Sequence, residues 1–366
     1  MEIRRRYCLR EWKRHANQPN ILHAGKCTMT RAALRQIEYH LPDRTLSTAE
    51  LSSQFPEWSI EKIDAKTGIS ERHISEAGEC ASDLAVAAAG KLFAAGNVSA
   101  ADIDFVLLCT QSPDYFLPTT ACLLQDRLGI PTSAGALDFN LGCSGFVYGL
   151  GLAKGLIESG QARNVLLLTA ETYSKFIHPM DKSVRTLFGD AAAACWLTAV
   201  ETEQELIGPF VYGTDGSGGE NLIVPAGGFR IPRSAETEQI SSDNTGNSRT
   251  RNNLYMNGGE IFNFTLEVVP STVNALLAKA GLKAEDIDLF VFHQANSYML
   301  EHLRKRLHLP AERFAVYMRH CGNTVSSTIP IAMHQAAAAG QMKAGQLVML
   351  VGFGVGYSWG ATLLRW

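Results

Sequence analysis

The chain has 366 residues, of which 46 % are hydrophobic and 19 % are charged, a composition typical of a globular enzyme. Its 33 basic and 36 acidic side chains give a net charge of −3, so nothing in the overall charge indicates nucleic-acid binding. The longest apolar runs, such as residues 347–357, have about 11 residues, whereas a membrane-spanning helix needs about 20. We therefore expect no membrane span.

The eight cysteines do not indicate a disulfide-rich or zinc-binding protein. There is no secretory segment and no Cys-x-x-Cys motif, so we expect a cytoplasmic protein with reduced thiols, most of them packed as small apolar groups. We also expect no metal site and no resident cofactor. Whether one cysteine is a nucleophile depends on its neighbours.

The first 28 residues differ from the rest of the chain. They contain seven basic residues and two acidic ones, without the apolar segment of a signal peptide. This predicts a flexible basic arm over residues 1–28, or an upstream start before a domain that begins near Met29. A functional basic arm is the alternative.

Two pairs of similar segments indicate an internal duplication. ADIDFVLLCT (101–110) resembles EDIDLFVFHQ (285–294), with Asp104 and Asp288 184 positions apart. GQARNVLLLTA (160–170) resembles KAGQLVMLVG (343–352), at an offset of 182 positions. Because the two offsets are nearly equal, we predict a repeat of about 180 residues.

The duplication divides the chain into an N-terminal half, 29–205, and a C-terminal half, 206–366. A stretch rich in Gly, Ser, Asn and Thr, about 212–253, predicts a long surface loop between the structured parts.

Short apolar runs alternate with helical patterns in both halves. The runs predict buried strands at residues 105–108, 165–168, 289–292 and 347–351. The helical patterns lie at residues 119–128, 145–159, 299–307 and 328–339. This alternation predicts an α/β fold with mostly parallel strands.

Cys143 is the candidate nucleophile. It lies in Gly-Cys-Ser-Gly (142–145), between a strand-like segment and a helical pattern. At a helix N-terminus, the unpaired N–H groups and the helix dipole favour thiolate over thiol. The alternative is a buried structural cysteine beside a packing glycine.

Two polar residues of the C-terminal half are candidate partners. His293 ends a predicted strand, where ligands gather in α/β folds, and it can act as a base or hydrogen-bond donor. Asn323 precedes a predicted helix 180 positions after Cys143, so the repeat places the two residues in equivalent loops. The structural alternatives are a hydrogen-bonded histidine and an N-cap asparagine.

The run Gly352-Phe-Gly-Val-Gly356 precedes an apolar terminal strand rather than a helix, so it is not a dinucleotide-binding motif. It is compatible with backbone N–H groups that face a ligand, as in an oxyanion site, and equally with a tight turn.

Together these motifs resemble the thiolase superfamily and, more narrowly, the β-ketoacyl-(acyl-carrier-protein) synthase III group of condensing enzymes. The resemblance covers about residues 29–366. It rests on Gly-Cys-Ser-Gly, His293-Gln-Ala-Asn296, Gly322-Asn-Thr324, the Gly-x-Gly-x-Gly ending, Thr67-Gly-Ile-Ser-Glu-Arg-His-Ile74 and Met256-Asn-Gly-Gly-Glu-Ile-Phe262. It implies a thiolase-like fold in which two duplicated α/β halves form α-β-α-β-α layers.

The resemblance implies a catalytic triad of Cys143, His293 and Asn323. Cys143 would take an acyl group from a thioester, and the other two would hold the carbonyl of a malonyl-type extender as carbon dioxide leaves. The backbone N–H groups of Cys143 and Val355 would form the oxyanion hole. The implied partners are an acyl-coenzyme A or acyl-carrier-protein donor and malonyl-carrier protein, in fatty-acid initiation or specialised-metabolite biosynthesis.

The resemblance also assigns residues around the triad. Gly258, Phe262 and Asn296 match positions that line the phosphopantetheine path. Leu117 matches a side chain that the partner of a homodimer inserts into the acyl pocket.

Lys305 and Arg306 match basic residues that meet the acidic carrier protein, although an ordinary solvated helix face has the same pattern. The chain departs from the family at Lys62, where a tryptophan often stacks on adenine, and at Lys66, where an arginine is usual. Lysine supplies neither planar stacking nor a bidentate fork, so the departures favour a carrier-bound donor.

Four alternatives share the fold or the chemistry. A degradative thiolase needs a second cysteine in the C-terminal glycine loop, and a chalcone-synthase-like enzyme usually has proline there; this loop has neither. A non-condensing acyltransferase would pass the acyl group to a hydroxyl or amine, whereas Asn323 favours condensation. A non-catalytic partner subunit would usually lack Cys143.

Overall fold

Two β-sheets with matching strand order form the framework of the molecule. The computed structural model describes residues 29–366, so the basic arm predicted for residues 1–28 lies outside the described residues. The strands are β1 Met29–His40, β2 Thr45–Ser47, β3 Glu71–His73, β4 Phe105–Cys109, β5 Gly135–Phe139, β6 Asn164–Glu171, β7 Ala191–Thr202, β8 Ile207–Thr214, β9 Leu222–Ile223, β10 Ser241–Ser242, β11 Ser248–Arg249, β12 Tyr255–Met256, β13 Leu289–Phe292, β14 Leu347–Gly354 and β15 Ser358–Arg365. The α-helices are α1 Thr48–Gln54, α2 Ile60–Thr67, α3 Ala81–Ala94, α4 Thr120–Arg127, α5 Gly145–Glu158, α6 Lys182–Arg185, α7 Gly258–Ala280, α8 Ser297–Arg306 and α9 Thr328–Ala338.

The strand orders of the two sheets reveal the duplication. The first sheet has the order β1-β7-β6-β4-β5 and the second, read in the same sense, β8-β15-β14-β13. The chain passes from one sheet to the other between Thr202 and Ile207. The predicted fold class, two duplicated α/β halves, is confirmed.

One strand in each sheet runs against the others. β4 is parallel to β5 and β6, and β13 is parallel to β14, but β7 and β15 run antiparallel to both of their neighbours. Four of five strands in the first sheet and three of four in the second therefore share one direction, as the prediction of mostly parallel strands requires, whereas the reversed β7 and β15 were not predicted. Only three residues join β14 to β15, and so short a connection permits only an antiparallel pair.

Helices separate and cover the sheets. α5 packs against strands of both sheets, and α9 joins it between them. α3 and α4 cover the outer face of the first sheet, whereas α7 covers that of the second and packs against α8. The predicted α-β-α-β-α order of layers is therefore confirmed. The central position of α5 explains its apolar sequence, since sheets cover it on opposite sides.

Helix α7 is the one described helix that is long and apolar enough to cross a membrane by those criteria alone. It packs against β8, β14 and β15, and it buries Phe264, Val269 and Val273 in the core of the second half. Its apolar character is thus explained by packing against the sheet.

The segment predicted as a long loop contains short ladders. β8 continues to Thr214, and a 3-10 helix follows over Gly216–Asn221. β9 then pairs with β12, and β10 pairs with β11. The irregular segment therefore begins after β8. Its backbone is bonded to both halves, since the Leu254 N–H donates to the Phe176 carbonyl oxygen and the Asp215 N–H to that of Tyr357.

Candidate active site

One cavity between the two halves brings the predicted catalytic side chains together. It has a volume of about 80 Å³ and is lined by Cys143, His293 and Asn323. Gly258 and Asn296, predicted for the phosphopantetheine path, line it as well. The first half thus supplies the thiol and the second half supplies the imidazole and the amide.

Cys143 lies beside the end of β14, two residues before α5 begins. A Cβ atom added to Gly352 would come within 2.8 Å of the Cys143 carbonyl oxygen, and one added to Gly354 would lie 2.9 Å from Sγ. Both positions therefore need glycine for steric reasons. The C-terminal glycine run lets a strand pass directly beside the nucleophile.

Burial raises the pKa of the Cys143 thiol to about 12, and the nearby Glu171 acts in the same direction. The backbone N–H groups of Cys143 and Val355 hydrogen-bond to the sulfur and lower the pKa, but by less. The sequence prediction that the helix start favours a thiolate is wrong for the resting structure, because desolvation outweighs the helix N-terminus. The thiol must therefore lose its proton as the sulfur attacks.

His293 follows β13, where its backbone N–H donates to the Val351 carbonyl oxygen over 2.8 Å. Burial lowers the pKa of its imidazole to about 3, so the ring is neutral at physiological pH. Nδ1 lies 2.7 Å from Oγ1 of Thr328, whose hydroxyl is also 3.0 Å from the Val325 carbonyl oxygen. The Thr328 hydroxyl can donate either to that carbonyl oxygen or to Nδ1. If it donates to the carbonyl oxygen, Nδ1 carries the ring proton and Nε2 accepts; if it donates to Nδ1, Nε2 carries the proton and donates.

Asn323 is fixed through its backbone and its side chain. Its N–H donates to the Leu187 carbonyl oxygen over 2.9 Å, and its own carbonyl oxygen accepts from Gly189 over 3.0 Å. Oδ1 accepts from the Val325 N–H over 3.0 Å, which leaves the Nδ2 group to donate into the cavity. Val325 reaches this position with φ 56°, a left-handed conformation that is costly for a β-branched residue.

The N-terminal motif supports this loop through Arg72, which the sequence did not single out within the motif. The fully buried guanidinium donates to the Thr186 carbonyl oxygen over 3.0 Å and to Thr48 Oγ1 over 3.0 Å. A Cβ atom added to Gly322 would lie 3.1 Å from Arg72 Cγ. Arg72 therefore packs against both chain segments that hold Asn323.

Glu171 is a buried carboxyl group near the nucleophile that sequence reasoning missed. It accepts hydrogen bonds from Gln111 N over 3.1 Å, Ser112 Oγ over 3.3 Å and Ser326 Oγ over 2.9 Å. Burial raises the pKa of Glu171 to about 8. The only sequence signal was an acidic residue at the end of an apolar strand.

The raised pKa of Glu171 predicts a pH-dependent stability. The folded-state pKa of about 8 exceeds the ordinary value of 4.5, so the folded state binds the proton more tightly and loses stability as pH rises between these values. We expect the free energy of unfolding to fall between pH 5 and pH 8. In Glu171→Gln this decrease should be smaller than in the wild type, by a few kcal/mol at most, since one pKa unit is about 1.4 kcal/mol. Urea unfolding at both pH values, with the exposed Glu267→Gln as control, measures this. Equal decreases in Glu171→Gln and the wild type would contradict the prediction.

Four predicted residues lie outside the cavity. Leu117 is 81 % exposed, and Phe262 packs against Tyr298 with ring centroids 5.8 Å apart. Lys305 and Arg306 are exposed in the last turn of α8. Within the described chain, these residues therefore do not surround the thiol.

The departures at Lys62 and Lys66 accompany an aromatic residue that sequence reasoning missed. Their Nζ atoms lie 5.4 Å and 4.8 Å from the ring centroid of Trp58, within cation–π range. Trp58 precedes α2, which packs against α8. The chain thus has a tryptophan at position 58, four residues before the position where family members often have one.

Among the described cysteines, Cys143 alone lines the cavity of the candidate triad. Cys321 borders a different cavity, together with Tyr39 and His320. Cys109, the repeat counterpart of His293, is buried with Sγ 2.9 Å from the Leu141 carbonyl oxygen. The geometry thus singles out the cysteine that the sequence motif indicated.

Comparisons with known proteins agree with this geometry. The family model of 3-oxoacyl-(acyl-carrier-protein) synthase III matches residues 137–216, and the model of its C-terminal part matches residues 277–366. The first matched segment contains Cys143, and the second contains His293 and Asn323.

Individual relatives match over nearly their whole length. A β-ketoacyl-(acyl-carrier-protein) synthase III of Caldanaerobacter subterraneus is 36 % identical over 340 residues, which are 93 % of this chain and 99 % of that protein. A crystal structure of a 3-oxoacyl-(acyl-carrier-protein) synthase III has a TM-score of 0.91 and 58 % identity, covering 92 % of this chain and all of that one. A crystal structure of a 3-oxoacyl-(acyl-carrier-protein) synthase of Burkholderia xenovorans has a TM-score of 0.83 and 36 % identity, covering 92 % of this chain and 95 % of that one.

Proposed function

Since the chain belongs to the 3-oxoacyl-(acyl-carrier-protein) synthase III family, we propose that Cys143, His293 and Asn323 catalyse the decarboxylative condensation of an acyl group with a malonyl thioester. The product is a β-ketoacyl thioester, formed in fatty-acid initiation or specialised-metabolite biosynthesis. The observation that carries the proposal is the shared cavity, in which one thiol, one neutral imidazole and one amide donor line the same space.

The first half-reaction transfers the acyl group to Cys143. Sγ attacks the thioester carbonyl, its proton passes to the unprotonated Nε2 of His293, and the departing thiolate takes that proton away. The negative charge on the tetrahedral oxygen is stabilised by the backbone N–H groups of Cys143 and Val355, which hydrogen-bond to the sulfur in the resting structure.

The second half-reaction forms the carbon–carbon bond. The malonyl thioester carbonyl accepts hydrogen bonds from His293 Nε2 and Asn323 Nδ2, so that carbon dioxide leaves as an enolate forms. The enolate attacks the acyl carbon, and the sulfur of Cys143 leaves as thiolate and is reprotonated. For His293 to donate through Nε2, the ring must release its Nδ1 proton to solvent and take one up on Nε2 between the half-reactions. The Thr328 hydroxyl then turns from the Val325 carbonyl oxygen to Nδ1, which both distances allow.

The donor is an acyl-coenzyme A or an acyl-carrier protein, and the extender is malonyl-carrier protein. Every step uses side chains and backbone groups of this chain, so the proposed mechanism contains no resident cofactor. Intact-protein mass spectrometry with both kinds of donor tests it. An acyl adduct that malonyl-carrier protein discharges with release of carbon dioxide and a β-ketoacyl product is expected. Transfer of the acyl group to a hydroxyl or amine without carbon dioxide release would favour the non-condensing acyltransferase.

We infer that the enzyme is a homodimer. β5 is an edge strand of the first sheet, with Leu137 45 % exposed, and the nearby segment exposes Tyr115, Phe116 and Leu117 by 62 %, 79 % and 81 %. An apolar edge of this kind favours pairing with a second copy. Pairing there would bring Leu117 to the acyl pocket of the other subunit. We also propose a cytoplasmic location, because a reducing compartment keeps Cys143 as a thiol.

Lys305 and Arg306 are proposed to dock the acidic carrier protein. The Lys305 side chain is 70 % exposed, although its Nζ is 3.3 Å from Glu301 Oε1, and Arg306 is exposed beside it. We expect Lys305→Glu combined with Arg306→Glu to weaken carrier-protein binding by roughly tenfold at low salt and by less at high salt.

The measurement for this docking surface is carrier-protein affinity at two salt concentrations. Arg163→Glu with Lys343→Glu is the matched control, since both residues are exposed before β6 and β14, at the opposite ends of these strands from the glycine run. Equal affinities of the two double variants at low salt would exclude the α8 surface as the docking site.

A further inference from the structure

A second cavity, of about 320 Å³, neighbours the first and opens to the surface. Leu222 lines both cavities, and Val355, whose N–H faces Cys143, lines this one. A Cβ atom added to Gly142 would come within 2.6 Å of Gln111 Oε1 and 2.7 Å of Val355 Cγ1. The second cavity therefore begins next to the residue that precedes the thiol, where an acyl group on the sulfur can extend.

One wall of this cavity carries three polar side chains in a row. The Tyr173 hydroxyl donates to Gln111 Oε1 over 2.5 Å, and Gln111 Nε2 donates to Asn140 Oδ1 over 3.0 Å. Asn140 is exposed at the mouth of the cavity, and within residues 29–366 its Nδ2 group donates to no protein acceptor, so it is open to solvent or to a ligand. The opposite wall is apolar and consists of Phe176, Leu222, Ile223, Val224 and Leu254.

The direction of these hydrogen bonds determines what the wall can bind. The carbonyl oxygens of Gln111 and Asn140 are already occupied by donors within the row, whereas both N–H bonds of Asn140 Nδ2 remain for a ligand. A complementary ligand group must therefore accept a hydrogen bond. The cavity has no basic lining residue that could compensate the charge of an anion, so a neutral oxygen fits better.

We propose that the acyl group loaded on this enzyme carries a neutral oxygen substituent, an oxo or hydroxyl group, which is bound by the amide of Asn140 at the end of the Tyr173–Gln111–Asn140 row. This inference rests on the proposed acyl-Cys143 intermediate and defines its substrate class. A plain aliphatic acyl group would displace water from the exposed Asn140 amide without offering it a hydrogen-bond acceptor in return.

Pantetheine thioesters are the probe, because pantetheine is common to coenzyme A and the carrier-protein arm. The set comprises hexanoyl pantetheine and its 3-oxo, 3-hydroxy, 5-oxo and 5-hydroxy derivatives, and the readout is the rate constant of adduct formation by intact-protein mass spectrometry. We expect at least one oxygenated group to load about tenfold faster than hexanoyl, the effect of one well-formed hydrogen bond.

Two variants separate hydrogen bonding from shape. Asn140→Asp retains an acceptor for Gln111 Nε2 but replaces both N–H donors with oxygen lone pairs, and Asn140→Leu removes the polar group. Both are expected to abolish the tenfold preference while hexanoyl loading persists. Asn97→Leu, an exposed amide on the turn after α3, is the control and should retain the preference.

The outcomes distinguish this inference from the proposed function. If hexanoyl loads as fast as every oxygenated group, the inference is wrong while the acyl-Cys143 mechanism stands. If no thioester forms an adduct on Cys143, both are wrong. If the Asn140 variants shift the enzyme from dimer to monomer without changing the loading preference, the polar row belongs to the subunit interface and the inference is again wrong.

Discussion

Replacing Asn323 with alanine is expected to leave acyl loading of Cys143 within about threefold of the wild type and to slow carbon dioxide release from malonyl thioester by roughly 10²–10³-fold, the effect of losing one donor to a developing oxyanion. The structure gives the reason for this split. Oδ1 is held by the Val325 N–H, so Nδ2 is the group that can donate to the malonyl carbonyl. The acylation step uses Cys143, His293 and backbone donors instead.

Asn323→Asp tests the amide donor with less change to the loop. The substituted side chain still offers an oxygen to the Val325 N–H but has no donor for the enolate. Both variants should load acyl groups and fail to decarboxylate, with Asn97→Ala as the control for a surface amide. Carbon dioxide release is measured separately from adduct mass. Unimpaired decarboxylation in Asn323→Asp would contradict the donor role and favour acyl transfer without condensation.

The strands that the sequence predicted correctly are those with a strong local signal. β13 begins and ends at the predicted residues, and β4 extends one residue further, because each is a short apolar run covered by helices on both faces. β7 begins with four alanines, which do not favour strands by themselves, and it is held in place by pairing with both β1 and β6. The reversed direction of β7 and β15 was missed for a related reason: strand direction depends on the partner strand and not on composition.

The candidate site shows the same division. The candidate triad was predicted from local motifs, from the repeat and from the resemblance to the condensing enzymes, all of which are visible along the chain. Glu171 was missed because its hydrogen-bond donors come from residues 111, 112 and 326, all of which are distant from it in the sequence. The protonation state of Cys143 was predicted wrongly because a helix start is visible in the sequence, whereas the extent of burial is not.

Because the buried Cys143 is a neutral thiol, His293 is needed as its proton acceptor. A thiolate would attack without a base, but a thiol whose pKa is raised to about 12 needs a proton acceptor during attack. The imidazole, with its pKa lowered to about 3, is neutral at rest, so it carries one N–H proton and keeps a lone pair available on the other nitrogen. The arrangement is therefore suited to a proton that moves only in the transition state.

Replacing Cys143 with alanine is expected to abolish acyl loading and to reduce condensation by about 10⁴-fold or more, because the covalent intermediate cannot form. Decarboxylation of malonyl thioester should persist in this variant, since His293 and Asn323 keep their own anchors on Val351, Leu187 and Gly189. The Cys143 and Asn323 variants are therefore expected to lose opposite half-reactions.

Intact-protein mass spectrometry and carbon dioxide release, measured on the same samples, test whether the Cys143 variant loses only acyl loading and the Asn323 variant loses only decarboxylation. Cys122→Ala is the matched control, because Cys122 is the exposed described thiol and is the one most open to adventitious acylation. It should load and condense like the wild type. A stable acyl adduct on Cys143→Ala that disappears when Cys122 is also replaced would locate the reactive thiol on the surface and refute the buried nucleophile. If Cys143→Ala instead loses both half-reactions while its unfolding transition is unchanged, the thiol itself helps to hold the malonyl group. The two half-reactions would then share one set of groups and would not be divided between the two halves of the fold.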